Sequence, residues 1–207
     1  MNFKQRQGRS PPMLSRKNLR RGVLLALAAS VAAATPYFIS EIQEARMESA
    51  MTKGGYVIYL RHASRNSGPR EPFSAGTPLA AFTDCTTQRN LTAKGRDEAV
   101  RIGQTFQALG VPIGDVYALP LCRTRQTAEL AFGHAMLKPQ LYDIQFVSNL
   151  LAAPPAPGTN TVLVDTEDQV RRIAGVELKP GEAAIFWPDG KGGFRYDGRL
   201  EREDLIR

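Results

Sequence analysis

Apolar positions between residues 56 and 200 come in short runs whose period changes along the chain. "YVIYL" (56–60) is continuously apolar or aromatic, the pattern of a strand buried on both faces. "DVYAL" (115–119), "TVLV" (161–164) and "EAAIFW" (182–187) repeat that type, and "GFRYDGRL" (193–200) predicts a last strand. "LYDIQFV" (141–147) is predicted as a further strand. Between them, "LTAKGRDEAVRIGQTFQALG" (91–110) sets Ala99, Ile102, Phe106 and Leu109 at spacings of three and four, so one helical face is apolar. Thr92 is its predicted N-cap and Gly110 its stop. "CRTRQTAELAFG" (122–133) predicts a second helix ended by Gly133, and a short helix is expected at 167–174. "EIQEARMESAMTKGG" (41–55) is helix-like up to Gly54-Gly55. Residues 66–90, with Gly68, Pro69, Pro72, Gly76 and Pro78, predict a long loop, of a length that usually serves function or mobility. "PPAPG" (154–158) predicts a rigid linker. Strands alternating with helices predict an α/β fold, a three-layer sandwich with a mainly parallel central sheet.

Charge changes the picture at one end only. The net charge is +7, yet Lys4, Arg6, Arg9, Arg16, Lys17, Arg20 and Arg21 stand among the first 21 residues with no acid between them. Without those seven, 20 basic residues face 20 acidic ones. A formally neutral body carries no global field for nucleic acid, and no nucleic-acid partner is expected. The basic head runs into "GVLLALAASVAAATPYFIS" (22–40), uncharged and rich in small residues. That order predicts a signal peptide or signal-anchor over 1–40, followed by one domain over 41–207. The body is then expected outside the cytoplasm, periplasmic or held at the inner membrane by an uncleaved segment. Two cysteines, Cys85 and Cys122, show no CxxC or Cys/His pattern, so no metal is expected. In an exported protein they could pair, or they could be two unrelated buried residues.

The candidate chemistry lies at strand ends. In open α/β sheets, sites gather where strands deliver the chain to loops at their carboxyl ends. Arg61-His62 follows directly on the strand at 56–60, and Arg123 follows the strand at 115–119 near a helix start. An arginine beside a helix N-terminus offers a guanidinium fork and unpaired backbone N–H groups, which suits phosphate. A histidine between two guanidiniums suits attack on phosphorus, with the imidazole as covalent phosphoryl carrier.

"YLRHA", "RNLTAKGRDEAVRIG" and "VYALPLCRTRQTAELAFG", in this order and spacing, resemble the histidine phosphatase superfamily, which has the phosphoglycerate-mutase-like fold. Its Arg-His-Gly motif is matched by Arg61-His62-Ala63, its Leu-Ser/Thr-x-x-Gly helix opening by Leu91 to Gly95. Its Ser-Pro-x-x-Arg-x-x-x-Thr-Ala motif is matched by Leu119 to Ala128. The resemblance covers Gly55 to Gly133 and resumes from Gly158 to about Phe194. It implies His62 as the catalytic nucleophile, with Arg61, His62 and Arg123 as the phosphate-binding set. It implies no metal and no organic cofactor. The partner implied is a phosphorylated small molecule or a phosphoprotein.

The resemblance fails at one motif. Where the family carries apolar-Val-Gly-His after a late strand, "TVLVDTEDQV" places Asp165 and Thr166. Threonine donates a hydrogen bond but brings no charge, and Asp165 is expected to turn a negative charge toward an anionic substrate. The other histidine, His134, follows a helix stop and is expected at the surface. Residues 134–157 look short for the family's next helix, so part of the pocket wall is expected to be missing. Asp84, in the loop before the helix at 91–110, and Glu167 and Asp168, just past the altered motif, are the carboxylates to weigh as general acid, against the plainer reading of each as a solvated loop carboxylate. Two readings follow: a slow phosphomonoester hydrolase with a phosphohistidine intermediate, or a catalytically weak relative that binds a phosphorylated ligand or partner.

Overall fold

Two large cores, one on each face of a single sheet, organise the described residues. The computed structural model describes residues 45–206. The expected signal or anchor over 1–40 lies outside the described residues. Strand β1 (Val57–Arg61) sits inside a six-stranded sheet with β2 (Ile113–Ala118), β3 (Met136–Leu137), β4 (Asn160–Asp165), β5 (Ala183–Pro188) and β6 (Phe194–Leu200). The order across the sheet is β3-β2-β4-β1-β5-β6. The ladders from β3 to β1 are parallel, and those joining β1, β5 and β6 are antiparallel.

The unbroken apolar run of β1 follows from this central place. Ile58 and Leu60 point into one core with Val162, Val164 and Ile185, packed by α2 (Ala93–Ala108) and α3 (Cys122–Phe132) through Ile102, Phe106 and Ala128. Val57 and Tyr59 point into the other with Leu163 and Phe186, covered by α4 (Ile144–Ala152) and α5 (Asp168–Ala174) through Val147, Leu151 and Val170. A period of two sends alternate residues to opposite faces, so both faces must be apolar. The fold is the expected three-layer α/β sandwich with a mainly parallel sheet.

The expected helix ends are present. The Thr92 hydroxyl accepts from Gly95 N–H at 2.9 Å and caps α2. Gly133 ends α3 at φ 78°, in the left-handed region. Gly95 has a second role, because a Cβ there would stand 1.8 Å from the Ser64 carbonyl oxygen. Only glycine lets α2 approach the chain that leaves β1.

The strand expected at 141–147 is absent. Residues Pro139–Tyr142 form a 3-10 turn and Ile144–Ala152 form α4. Asp143 caps that helix, accepting from the N–H groups of Gln145 at 2.7 Å and Phe146 at 3.0 Å. Leu141, Val147 and Leu151 are fully buried, and Val147 and Leu151 stand about one helical turn apart on the packed face of α4. The region expected to lack the family's helix therefore carries α4, and Tyr142, the last residue of the 3-10 turn, lines the candidate pocket.

The long loop at 66–90 is pinned rather than free. Phe82 is buried with its ring 4.5 Å from that of Phe73. The Gln88 side chain donates to the Phe82 carbonyl and accepts from Cys122 N–H at 2.9 Å. A disulfide joins Cys85 to Cys122, Cα atoms 5.8 Å apart, closing 37 residues of chain. By chain entropy a loop of that size stabilises the fold by about 4 kcal/mol. Urea unfolding with and without reductant should differ by about that amount.

Candidate active site

Because β1, β2 and β4 are parallel, their carboxyl ends meet at one edge of the sheet. Arg61 pairs in register with Asp165, and His62 N–H donates to the Asp165 carbonyl at 3.0 Å, one step past the strand. That bond fixes the backbone of the candidate nucleophile. Arg123 arrives on the first turn of α3, after β2. The Thr127 hydroxyl locks the two together, accepting from Ala63 N–H at 3.2 Å and donating to the Arg123 carbonyl at 2.7 Å.

The His62 ring is 1% exposed, and its Nδ1 lies 2.8 Å from the Ala63 carbonyl oxygen. A carbonyl can only accept, so Nδ1 carries the proton and Nε2 keeps its lone pair. Burial, then the Arg123 guanidinium, and more weakly Arg61 and Arg65, hold this imidazole well below the usual histidine range against the pull of Ala63. The ring is neutral at physiological pH, the state a nucleophile requires.

His62 lines a cavity of about 190 Å³ with Arg61, Arg65, Arg70, Glu71, Arg89, Leu121, Arg123, Tyr142, Thr166, Glu167 and Asp168. All three expected phosphate-binding residues are brought together here. Arg61 donates through one terminal nitrogen to Glu167 and to the Leu178 carbonyl. Arg123 is 2% exposed and donates to Glu71 at 2.7 Å. The Nε of each arginine is a buried donor without a hydrogen-bond partner among the described residues. Both side chains line the cavity, and a guanidinium is a charged donor suited to phosphoryl oxygens.

Glu71 gave no signal in the sequence, since it lies in the loop 52 positions before Arg123. It accepts from the Arg89 backbone N–H at 2.9 Å and from the Arg89 terminal nitrogen at 2.6 Å. Burial alone would push its carboxyl up, but the Arg89 side chain and backbone, with Arg123, bring it down to about 2. It is an anion that holds Arg89 and Arg123 in place. Tyr142 was also missed, because its segment was expected as a strand. Burial, opposed by Arg123, pushes its hydroxyl up to about 12, so it stays a neutral donor at the pocket.

The other candidates separate. Glu167 and Asp168 line the pocket, paired with Arg61 and with Arg70, the latter at 2.6 Å. Asp84 does not line it; its carboxylate caps the 3-10 turn Cys85–Thr87, accepting from Thr86 N–H at 2.9 Å. His134 is exposed, as expected. Thr166 lines the pocket one residue beyond the end of β4. Asp165 does not turn toward it. Its carboxyl lies on the α4–α5 face of the sheet, 2.9 Å from the Tyr59 hydroxyl and accepting from Thr166 N–H at 2.6 Å. The alternation of β4, which sends Val164 to one face, sends Asp165 to the other.

Burial, outweighing the Thr166 and Tyr59 hydrogen bonds, pushes Asp165 up to about 7. The unfolded carboxyl loses its proton near 3.8, so between there and about pH 7 the folded chain binds more protons and its stability falls as pH rises. Asp165→Asn removes the titrating group. Denaturant midpoints of wild type and Asp165→Asn should therefore diverge from pH 4 to pH 8, with the wild type the more pH-sensitive. The gap should grow on the order of 4 kcal/mol, at about 1.4 kcal/mol for each pH unit between the two ionisations.

No family model and no curated protein matches the chain. Among solved structures, the protein histidine phosphatase SixA complexed with tungstate aligns with a TM-score of 0.52 at 19% identity, over 72% of this chain and 99% of that one. The phosphoserine phosphatase of Entamoeba histolytica in complex with 3-phosphoglyceric acid gives a TM-score of 0.46 at 14% identity, over 73% of this chain and 99% of that one. The likeness to the tungstate complex, at that identity, speaks for the fold. The fold is histidine-phosphatase-like.

Proposed function

We propose that the chain is a phosphomonoester hydrolase working through a phosphohistidine on His62, and that it is slow because Thr166 stands where a second histidine would. One observation carries this: a neutral, buried imidazole bonded through Nδ1 to Ala63, sharing its cavity with the Arg61 and Arg123 guanidiniums. Nε2 attacks phosphorus, the bond from phosphorus to the leaving oxygen breaks, and Arg61 and Arg123 offset the charge on the transferring oxygens. Water then attacks the phosphohistidine, releasing inorganic phosphate and the free imidazole. Thr166 and Tyr142 are neutral donors at the rim. Each lining carboxylate is ion-paired, so leaving groups that depart as stable anions, such as phenolates, should turn over fastest. The test is hydrolysis of an aryl phosphate by wild type against His62→Ala.

A binding role without turnover is favoured by a different observation. Arg61 and Arg123 each already hold a carboxylate, and Thr166 supplies no charge. On that reading wild type and His62→Ala release phosphate equally slowly. We propose export as the setting for either role, which the Cys85–Cys122 bond supports because such bonds persist in oxidising compartments.

A further inference from the structure

The cavity holds more positive charge than one phosphoryl group needs. Five arginines line it against three carboxylates, Glu71, Glu167 and Asp168. Glu167 serves Arg61, Asp168 serves Arg70, and Glu71 is shared between Arg89 and Arg123. Arg65 is left over. Among the described residues it has no carboxylate partner, and its one side-chain hydrogen bond goes to the Asn66 carbonyl at 2.8 Å.

Arg65 is also held in place. Its backbone bridges Leu91, just before the Thr92 cap of α2, and Asn66 N–H donates to the Asn90 carbonyl at 2.9 Å. The side chain is half-buried at the mouth, three residues past His62. Burial, then Arg89, Arg123 and Arg61, pulls its guanidinium below the usual arginine range. Four guanidiniums therefore press on one another, opposed at Arg65 only by Glu71 at longer range, and the one without a close ion pair among the described residues lines the pocket. A ligand with negative charge there relieves the repulsion and gains charge-assisted hydrogen bonds.

We propose that Arg65 forms a second anion subsite beside the phosphoryl site, and that the ligand is a phosphomonoester carrying a second anionic group, a phosphate or a carboxylate. The proposal rests on the reading of His62, Arg61 and Arg123 as a phosphoryl site. A neutral ester fills only that site. A bis-anionic one spans both, and Arg65 selects for it.

Calorimetry at about 0.15 M salt, where exposed charges are screened beyond ~8 Å, tests this without turnover in the His62→Ala full chain. The probes are phenyl phosphate, 4-hydroxyphenyl phosphate, 4-carboxyphenyl phosphate and 1,4-phenylene bisphosphate. Both bis-anionic probes should bind roughly 10- to 100-fold more tightly than the other two, the range of one charged hydrogen-bonding group. Adding Arg65→Ala, or Arg65→Gln should the alanine variant not fold, should cut that advantage to below about threefold, leaving only the long-range field. An advantage for the bisphosphate alone narrows the second group to phosphate; one for both leaves phosphate and carboxylate. Equal affinity of all four probes, or an advantage that survives loss of Arg65, overturns the second subsite while the phosphoryl site stands. Failure of every probe to bind overturns the phosphoryl site itself, and the subsite with it.

Discussion

Thr166→His is expected to speed single-turnover phosphate release by roughly 10²- to 10³-fold, the effect of one preorganised donor to a developing anion, or about 3–4 kcal/mol. Thr166 already lines the cavity and follows Asp165, whose carbonyl accepts the His62 N–H. Its backbone is fixed, since its own N–H donates to Asp165 at 2.6 Å. A histidine there starts from an ordered position and adds an imidazole N–H donor to the cavity. Asp165 needs no change, because its carboxyl faces Tyr59 rather than the cavity. Asp165→Gly combined with Thr166→His should be less stable and no faster than Thr166→His alone. Single-turnover assays at matched folded fraction decide it. An unchanged rate in Thr166→His would mean that Tyr142 or another donor already fills the role.

His62→Ala should lower aryl phosphate hydrolysis by roughly 10³- to 10⁴-fold. Removing a nucleophile from a complete site costs on the order of 10⁶ and leaves only what binding and electrostatics supply. The wild type here is expected to lack about 10² to 10³ of that already, so its distance to the same floor is smaller. The variant should fold, because His62 gives its side-chain hydrogen bond to the neighbouring carbonyl and is not itself an ion-pair partner. Phosphate affinity should survive through Arg61 and Arg123. A variant as active as wild type would leave His62 without the assigned role.

What the sequence could show was local. Tyr56 to Leu60 and Thr161 to Val164 need both faces apolar, so a continuous run marks them. Thr92 and Gly133 are cap residues whose chemistry is legible alone. Residues 141–147 misled because a short window holds apolar residues at both two- and three-residue spacing. Asp143 as a cap, with Val147 and Leu151 on one face, decides for helix only over a longer window. Arg61-His62 and Arg123 were legible because each sits beside its own strand. Glu71 was not, since nothing in a proline-rich loop encodes a partner 52 positions away. Asp165 was misplaced because a motif gives a position, while the face it points to is set by the pleat of β4.

The phosphohistidine is tested most directly by mixing the wild type with a reactive aryl phosphate, quenching within milliseconds and mapping the acid-labile phosphate by mass spectrometry. A phosphoramidate on His62 is expected, forming with release of the phenol, decaying to inorganic phosphate, and absent from His62→Ala. Label on another residue alone, or phenol released with no label at any time while His62→Ala is equally active, would contradict it.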